Sequence, residues 1–436
     1  MKLSTVLCGL PLAAAFPGVP FPAASANEKR SDDIFNATSV TGAFVAVLDA
    51  VEEVAKAAVK KTSPKVVSKH AKFAGWKDFK ANGVNLGGWL SLEKGIDPAF
   101  FNDNGASEAI DEDSFCAVLG KKECGRLLEQ RYASYFTEKD VDIFASYGVN
   151  TLRVPVGYWA FMPAIAGDNY YTGGQLSAFS ALAKYAVNKG MHIIVDLHGL
   201  PGGQNGLDNQ GKTGQLEWWN STTHYTETLK LVDLATKWIT KQPHKDQFTL
   251  GLINEPLPYL YQFGQVDWSF DYLNKYYTDA LAQIRKTTKT MPVMFSDGFS
   301  GPQTWDQWWA NSTQNIVFDT HIYFFTGGSY SYDAPYGACY LAKSYQVATN
   351  PVFIGEWSIQ ASEFNHAGDD TRKVFFDSQF SAYTTFLNGG AFWNGKHNGT
   401  NIVGDDGTDQ TFYWSWQRLA SEGIVPKAGE TVQTLC

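Results

Sequence analysis

The sequence predicts a (β/α)8 TIM barrel, and two observations carry that expectation. From about residue 79 short apolar runs alternate with helical stretches, and the runs number eight: Gly83–Leu90, Asn150–Val156, His192–His198, Thr249–Glu255, Met291–Asp297, Asn315–His321, Pro351–Glu356 and Gly390–Trp393. Most are apolar at consecutive positions, the pattern of parallel strands covered on both faces. A doubly wound open sheet is the competing architecture, but no G-x-G-x-x-G or G-x-x-x-x-G-K-[ST] loop follows any run.

The chain opens with Met1-Lys2, an apolar stretch Leu3–Phe16 and the small residues Ala24-Ser25-Ala26, which read as a secretory signal over residues 1–26. Residues 27–72 read as a pro-segment or accessory helix with a linker. Phe44, Leu48, Val51, Ala55 and Ala58 fall on one helical face, and Thr62–Lys72 is polar and basic with Pro64 inside it. Lys29-Arg30 is either a dibasic processing site or an ordinary exposed pair. Residues 73–436 form the barrel domain. In it, Thr137-Glu138-Lys139-Asp140 precedes Val141, Ile143, Phe144 and Tyr147 as a capping box, and Gly148 stops that helix. Further helices are expected at Ser177–Asn188, Thr223–Thr240, Phe270–Lys286, Thr371–Leu387 and Tyr413–Leu419.

Composition narrows the function. Of 436 residues 44% are hydrophobic and 18% charged, enough for a large core and too apolar for extended disorder. The net charge of −9 and the lack of a basic block argue against a nucleic-acid partner. No later segment reaches the length of a membrane span, so no membrane insertion is expected. Aromatic residues make up 15%, and their faces suit flat apolar ligands, the CH faces of sugars among them. Outside the signal lie Cys116, Cys124, Cys339 and Cys436, an even count that favours disulfides in an oxidising compartment. Of the three connectivities, a local Cys116–Cys124 loop and a Cys339–Cys436 staple are preferred. Sequons at Asn36, Asn220, Asn311 and Asn398 place those loops at the surface of a glycoprotein.

The runs end in polar side chains: Arg153; Asp196 and His198; Asn254-Glu255; Asp297; Asp319, His321 and Tyr323; Glu356-Trp357; Trp393. In a barrel these ends converge on one mouth, where this fold keeps its active sites. Each has a bland reading, a hydrogen-bonded structural histidine or an arginine paired inside the barrel. Six strands with unrelated buried polar groups at the same end is a much costlier coincidence. Pro256 biases Glu255 towards extended backbone and stops strand pairing, which holds the carboxylate at the rim, and Glu356 ends a later run in the same position. Two such carboxylates suit acid/base and nucleophilic roles.

Taken in order, Gly83-Val84-Asn85-Leu86-Gly87-Gly88-Trp89-Leu90, Arg153-Val154-Pro155, His198-Gly199, Asn254-Glu255-Pro256, His321-Ile322-Tyr323, Gly355-Glu356-Trp357 and Trp393 resemble glycoside hydrolase family 5. The likeness is closer to the secreted fungal exo-β-1,3-glucanases of that family. It rests on Leu92-Glu93, Gly157-Tyr158-Trp159-Ala160-Phe161 and Pro201-Gly202-Gly203-Gln204-Asn205-Gly206, and it runs from about residue 74 to the C-terminus. The resemblance implies Glu255 as general acid/base and Glu356 as nucleophile. It puts Arg153, His198, Asn254, His321, Tyr323 and Trp393 around the −1 sugar, and Glu93 and Asn209 on sugar hydroxyls. Phe299 remains from the aromatic set of the pocket entrance. Arg153 and Tyr323 are expected to lower the pKa of Glu356, and the acid Glu255 is expected to carry a raised one.

Two departures stand out. Leu207 and Thr326 occupy positions where the exoglucanases carry the aromatics that clamp the acceptor sugar, with Phe324 or Phe325 as candidate substitutes. Trp305, Trp308 and Trp309 read as helix packing in preference to a replacement platform. The expectation is a secreted, extracellular or wall-associated monomer that cleaves β-glucan with retention, most simply as an exo-β-1,3-glucanase releasing glucose. It uses no cofactor and no metal. The insertion Lys94–Leu127 is placed to wall one end of a groove, as exo action requires. An endo-β-glucanase, a β-1,6-glucanase or a mannanase are the alternatives within the family. Outside it stand a metal-dependent barrel hydrolase, drawing on Asp196/His198 and Asp319/His321, and a non-catalytic wall-binding protein.

Overall fold

The eight strands close into a parallel barrel in chain order. They are β1 (Ala81–Asn85), β2 (Thr151–Gly157), β3 (His192–Gly199), β4 (Phe248–Gly251), β5 (Val293–Ser296), β6 (Ile316–Phe324), β7 (Val352–Ala361) and β8 (Gly389–Phe392). Closure comes where β1 meets β8, with Ala81 opposite Gly389 and Val84 opposite Phe392. The computed structural model describes residues 73–258, 267–326, 333–362, 368–404, 407–433 and 435–436. The signal, the pro-segment, Lys29-Arg30 and the Asn36 sequon lie outside the described residues.

Every run foreseen in the sequence becomes a strand, and the boundaries move for local reasons. The first strand stops at Asn85 and does not reach Leu90, because a turn follows in which Gly88 takes φ +69°. The fourth ladder stops at Gly251, and Glu255 beyond it takes φ +44°, left-handed backbone in place of the extended geometry expected before Pro256. The seventh runs on to Ala361. The principal helices outside the barrel are α1 (Pro98–Asp103), α2 (Glu112–Ser134), α3 (Glu138–Ser146), α4 (Gln175–Asn188), α5 (Thr222–Thr240), α6 (Asp267–Thr287), α7 (Asp306–Trp309), α8 (Ala334–Tyr345), α9 (Asp369–Phe386), α10 (Thr411–Trp414) and α11 (Trp416–Ser421). The foreseen capping box forms at α3, where the Thr137 N–H donates to Asp140 Oδ2 at 2.8 Å. A second, between Asp111 and Ser114, starts α2. The insertion after β1 is therefore mostly helix, α1 and the first half of α2, which kinks at Gly120.

Both preferred disulfides are present, Cys116–Cys124 with Cα atoms 5.0 Å apart and Cys339–Cys436 with 5.6 Å. Asn220, Asn311 and Asn398 are all exposed, as sequons must be to accept a glycan. Trp305 is fully buried, and Trp308 and Trp309 are half-buried against the same core, so this cluster is packing.

The barrel interior divides along its axis. At the N-terminal end Phe73 and Trp76, from the segment before β1, plug the opening against Ile194, Met294, Val317 and Phe353. The Trp76 indole N–H donates to Thr249 Oγ1 at 3.0 Å, so the buried indole is satisfied. At the other end the inward-facing residues turn polar, and the chemistry of the molecule collects there.

Candidate active site

Arg153 on β2 is completely buried and sits at the centre of the mouth. One terminal nitrogen, Nη1, donates to Glu356 Oε1 at 2.8 Å and to Asn85 Oδ1 at 3.1 Å. The other, Nη2, donates to Asn254 Oδ1 at 2.8 Å and lies 3.1 Å from Asp196 Oδ2 and 3.6 Å from Asp319 Oδ2. Burial works against the guanidinium charge, but Asp196, Asp319 and Glu356 outweigh it and raise its pKa. Asn85 is held in turn by donating to the Gly355 carbonyl at 2.9 Å. Gly355 has to be glycine, because a Cβ there would come within 1.9 Å of Asp319 Oδ1.

Two polar chains radiate from this arginine. His198 shares Nδ1 with Asp196 Oδ2 at 2.6 Å, and its Nε2 faces the Asn254 amide nitrogen at 3.4 Å. Those partners assign the proton to Nδ1 and leave Nε2 as an acceptor. The His198 ring lies parallel to Trp393, 7° apart in plane with centroids at 5.8 Å. Trp393 also rests on Gly87, where a Cβ would meet its ring at 2.7 Å. On the other side, the Tyr323 hydroxyl donates to Glu356 Oε2 at 2.8 Å, and His321 Nδ1 lies 3.5 Å from that same oxygen.

Glu255 completes the group. Its Oε1 is 2.8 Å from His321 Nδ1, and its Oε2 accepts from the Asn209 amide at 2.7 Å. Asn209 is positioned by Asn205, whose amide donates to Asn209 Oδ1 at 3.0 Å. An oxygen of Glu255, an oxygen of Glu356 and a nitrogen of His321 all lie within 4.8 Å of one another. The two acidic residues, 101 positions apart in sequence, thus face each other across a gap of one sugar carbon and its substituents. Both Glu255 (φ +44°) and Phe299 (φ +59°) hold left-handed backbone that a side chain adopts at a cost, as site residues often do. Phe299 stands edge-on to His321, with centroids 6.2 Å apart.

Electrostatics corrects one expectation. Burial raises the pKa of Glu356, and the Glu255 charge adds to it, against His321 and Arg153. For Glu255 burial pushes up, but the hydrogen bond and charge of His321, with His198 and Asn209, win and lower it. The order is the reverse of the one the sequence suggested. His321 is the reason: burial opposes its charge, yet Glu356, Asp319 and Glu255 raise its pKa well above the ordinary value. The proton expected on Glu255 rests 2.8 Å away on His321, and the three groups titrate as a unit.

Glu93 points into the same space. Its Oε1 is buried without a hydrogen-bond partner, 4.0 Å from His198 Nε2. Burial first, then Asp208, Glu356 and Glu255, push its carboxyl well above the usual range. All eleven residues singled out in the sequence therefore lie at one mouth or in contact with a residue that does. Sequence reasoning missed two supports. Asn85 lay inside a quoted motif at the end of β1, where a polar strand end was the available signal. Glu112 is fully buried and accepts from the Leu92 N–H and the Trp159 indole, each at 2.8 Å, which fixes the backbone beside Glu93. Burial lifts its pKa to about 8, and no local pattern announces such a role.

Glu255, His321 and Glu356 are the one trio of metal-ligand types brought together among the described residues. Their atoms already bond one another, and the Arg153 guanidinium 2.8 Å from Glu356 Oε1 disfavours a second cation. What the arrangement suits is displacement at a carbon held between two carboxyl groups.

Comparison with known proteins agrees with this geometry. The family model described as cellulase (glycosyl hydrolase family 5) matches residues 121–417. The chain is 35% identical over 288 residues to the probable glucan 1,3-beta-glucosidase A of Emericella nidulans, covering 64% of this chain and 67% of that protein. It is 36% identical over 248 residues to glucan 1,3-beta-glucosidase 1 of Schizosaccharomyces pombe, covering 56% and 58%. These matches span about two thirds or less of the relatives' length. Among solved structures, the rutinosidase from Aspergillus niger superposes with a TM-score of 0.75 at 33% identity, over 81% of this chain and 99% of that one.

Proposed function

The chain belongs to glycoside hydrolase family 5, and on that footing we propose that it hydrolyses β-glucan by double displacement, as an exo-acting β-1,3-glucanase. One observation carries the reading: carboxylate oxygens of Glu255 and Glu356 lie within 4.8 Å of each other. Retaining glycosidases hold their two carboxyl groups about 5–5.5 Å apart, whereas inverting ones leave about 6.5–9.5 Å for a water.

Glu356 attacks C1 of the −1 sugar. Arg153 and Tyr323 each bond one of its oxygens and aim it, and the Arg153 charge works against the burial that raises its pKa. Glu255 receives a proton from His321 Nδ1, 2.8 Å away, and passes it to the leaving oxygen, which leaves Glu255 as a carboxylate. Once Glu356 is esterified its negative charge is gone, and Glu255 serves as base for the incoming water. Asn254, pinned by Arg153, has an amide N–H free for the sugar 2-OH, a contact that strengthens in the transition state. Trp393 floors the subsite through the apolar face of its ring. The unpartnered Oε1 of Glu93 accepts from a sugar hydroxyl and so recovers the hydrogen bond it lacks.

Two disulfides and three exposed sequons support secretion. Among the described residues no helix is long and apolar enough to cross a membrane. A monomer acting on polysaccharide is the simplest assembly. Linkage-resolved product analysis on laminarin tests the reading: glucose alone from the chain end supports it, and a ladder of oligomers contradicts exo action.

A second reading, cleavage of a rutinoside, is favoured by the match to nearly the whole length of the rutinosidase structure. Release of the intact disaccharide from a rutinoside, with laminarin untouched, would establish it.

A further inference from the structure

Glu93 points into the mouth from the loop after β1, yet its head group is weakly anchored. Its Oε1 has no hydrogen-bond partner, and Asp208, Glu356 and Glu255 each oppose its charge. Its placement therefore falls to the backbone that carries it, and that backbone is tied to the start of α2. The Leu92 N–H donates to Glu112 Oε2 at 2.8 Å, and Glu93 itself pairs with Asp111 in an isolated antiparallel bridge. The start of α2 is held in turn by the loops after β2 and β3. Asp111 accepts from the Thr213 N–H at 2.7 Å, the Asp113 N–H donates to the Gly211 carbonyl at 3.0 Å, and Asp113 Oδ1 accepts from the Asn169 N–H at 2.6 Å. The other oxygen of Glu112 accepts from the Trp159 indole at 2.8 Å, and that ring lies flat on Tyr170, with centroids 3.8 Å apart and planes at 4°. Burying the Glu112 carboxyl is costly even with both bonds made, since burial outweighs them in raising its pKa. An apolar residue of similar volume would avoid that cost but would leave the Leu92 N–H and the Trp159 indole unpaired.

We propose that Glu112 is a positioning residue for turnover: by holding the Leu92 N–H it keeps the Glu93 carboxyl on the hydroxyls of the bound sugar. The proposal rests on the glycosidase reading above. Glu112 is fully buried and touches no substrate, so any effect it has on the reaction passes through its neighbours. A group that merely stabilises the fold matters whatever stands at position 93. A group that acts through Glu93 matters only while that carboxyl is there to be placed.

The test is a double-mutant cycle on phenyl β-glucoside, laminaribiose and a rutinoside, with Tm recorded for each variant. Glu112→Gln keeps the volume and one acceptor oxygen but turns an amide NH2 towards one of the two donors. On each glycoside the wild type cleaves, it is expected to lower kcat/KM about tenfold in the otherwise wild-type chain, and by no more than about twofold in a Glu93→Ala background. Glu112→Asp, which draws the carboxyl back by one methylene, goes through the same cycle and is expected to behave alike, so the test stands if the glutamine variant does not fold. A loss of equal size with and without the Glu93 carboxyl would overturn the proposal, since a purely structural role predicts it. So would a kcat/KM for Glu112→Gln within about twofold of the wild type. A wild type inert on all three glycosides would defeat the glycosidase reading, and the proposal with it, before any variant is compared.

Discussion

Each end of the barrel buries a histidine, and the two fare in opposite ways. His192 opens β3 at the N-terminal end, stacked on Phe73 with ring centroids 3.8 Å apart and bonded through Nε2 to Thr249 Oγ1 at 2.8 Å. Among the described residues no charge acts on it, and burial pushes its pKa down to about 3. The His321 side chain on β6 at the C-terminal end is also largely enclosed, 4% exposed, yet Glu356, Asp319 and Glu255 raise its pKa well above the ordinary value. Enclosure by itself makes an imidazole neutral; surrounded by carboxylates, it becomes a proton store. The closed end is built for stability and the open end for chemistry, on the same eight strands.

The comparison can be broken most severely at the open end. Glu356→Gln removes the nucleophile and should cut turnover of glycosides by about 10⁵-fold while sugar binding survives. Calorimetric titration with an oligosaccharide beside a turnover assay checks both halves. Glu255→Gln should cost about 10²–10⁴-fold on natural glycosides and much less on activated aryl glycosides, which need little protonation on leaving. A loss of equal size on both would move the acid role elsewhere.

The pH profile sharpens the contrast. Activity should rise with pH as Glu356 ionises, at a pKa above the ordinary glutamate value. It should fall again only when the proton shared by Glu255 and His321 is lost, above the ordinary histidine value. His321→Asn should bring that upper limb down.

At the closed end the linkage is with stability. His192 binds a proton near pH 6.5 when unfolded but only near pH 3 when folded. Its contribution is complete above the unfolded pKa and is lost as pH falls from about 6.5 to 3, amounting to several kcal/mol. His192→Phe should flatten that part of the Tm-against-pH curve and leave kcat at neutral pH unchanged. A changed kcat would mean the two ends are coupled.

The sequence carried most of the architecture, because parallel strands buried on both faces announce themselves as apolar runs and their polar ends mark the mouth. Strand limits were less legible where backbone geometry decides them. The turn at Gly88 shortens β1, the fourth ladder stops at Gly251, and Glu255 before Pro256 takes left-handed backbone. Residue identities at the site were legible through their motifs, whereas protonation was not. The carboxyl ordering depends on His321 reaching Glu255 at 2.8 Å across 66 residues of sequence, which no local pattern encodes. Glu112 and Asn85 likewise acquire meaning only from their neighbours in space.

Proton NMR of the anomer first released from laminarin, recorded before mutarotation, is the most direct probe of the proposed geometry. A retaining pair as close as Glu255 and Glu356 predicts the β-anomer; an initial α signal would mean inversion and would contradict the account.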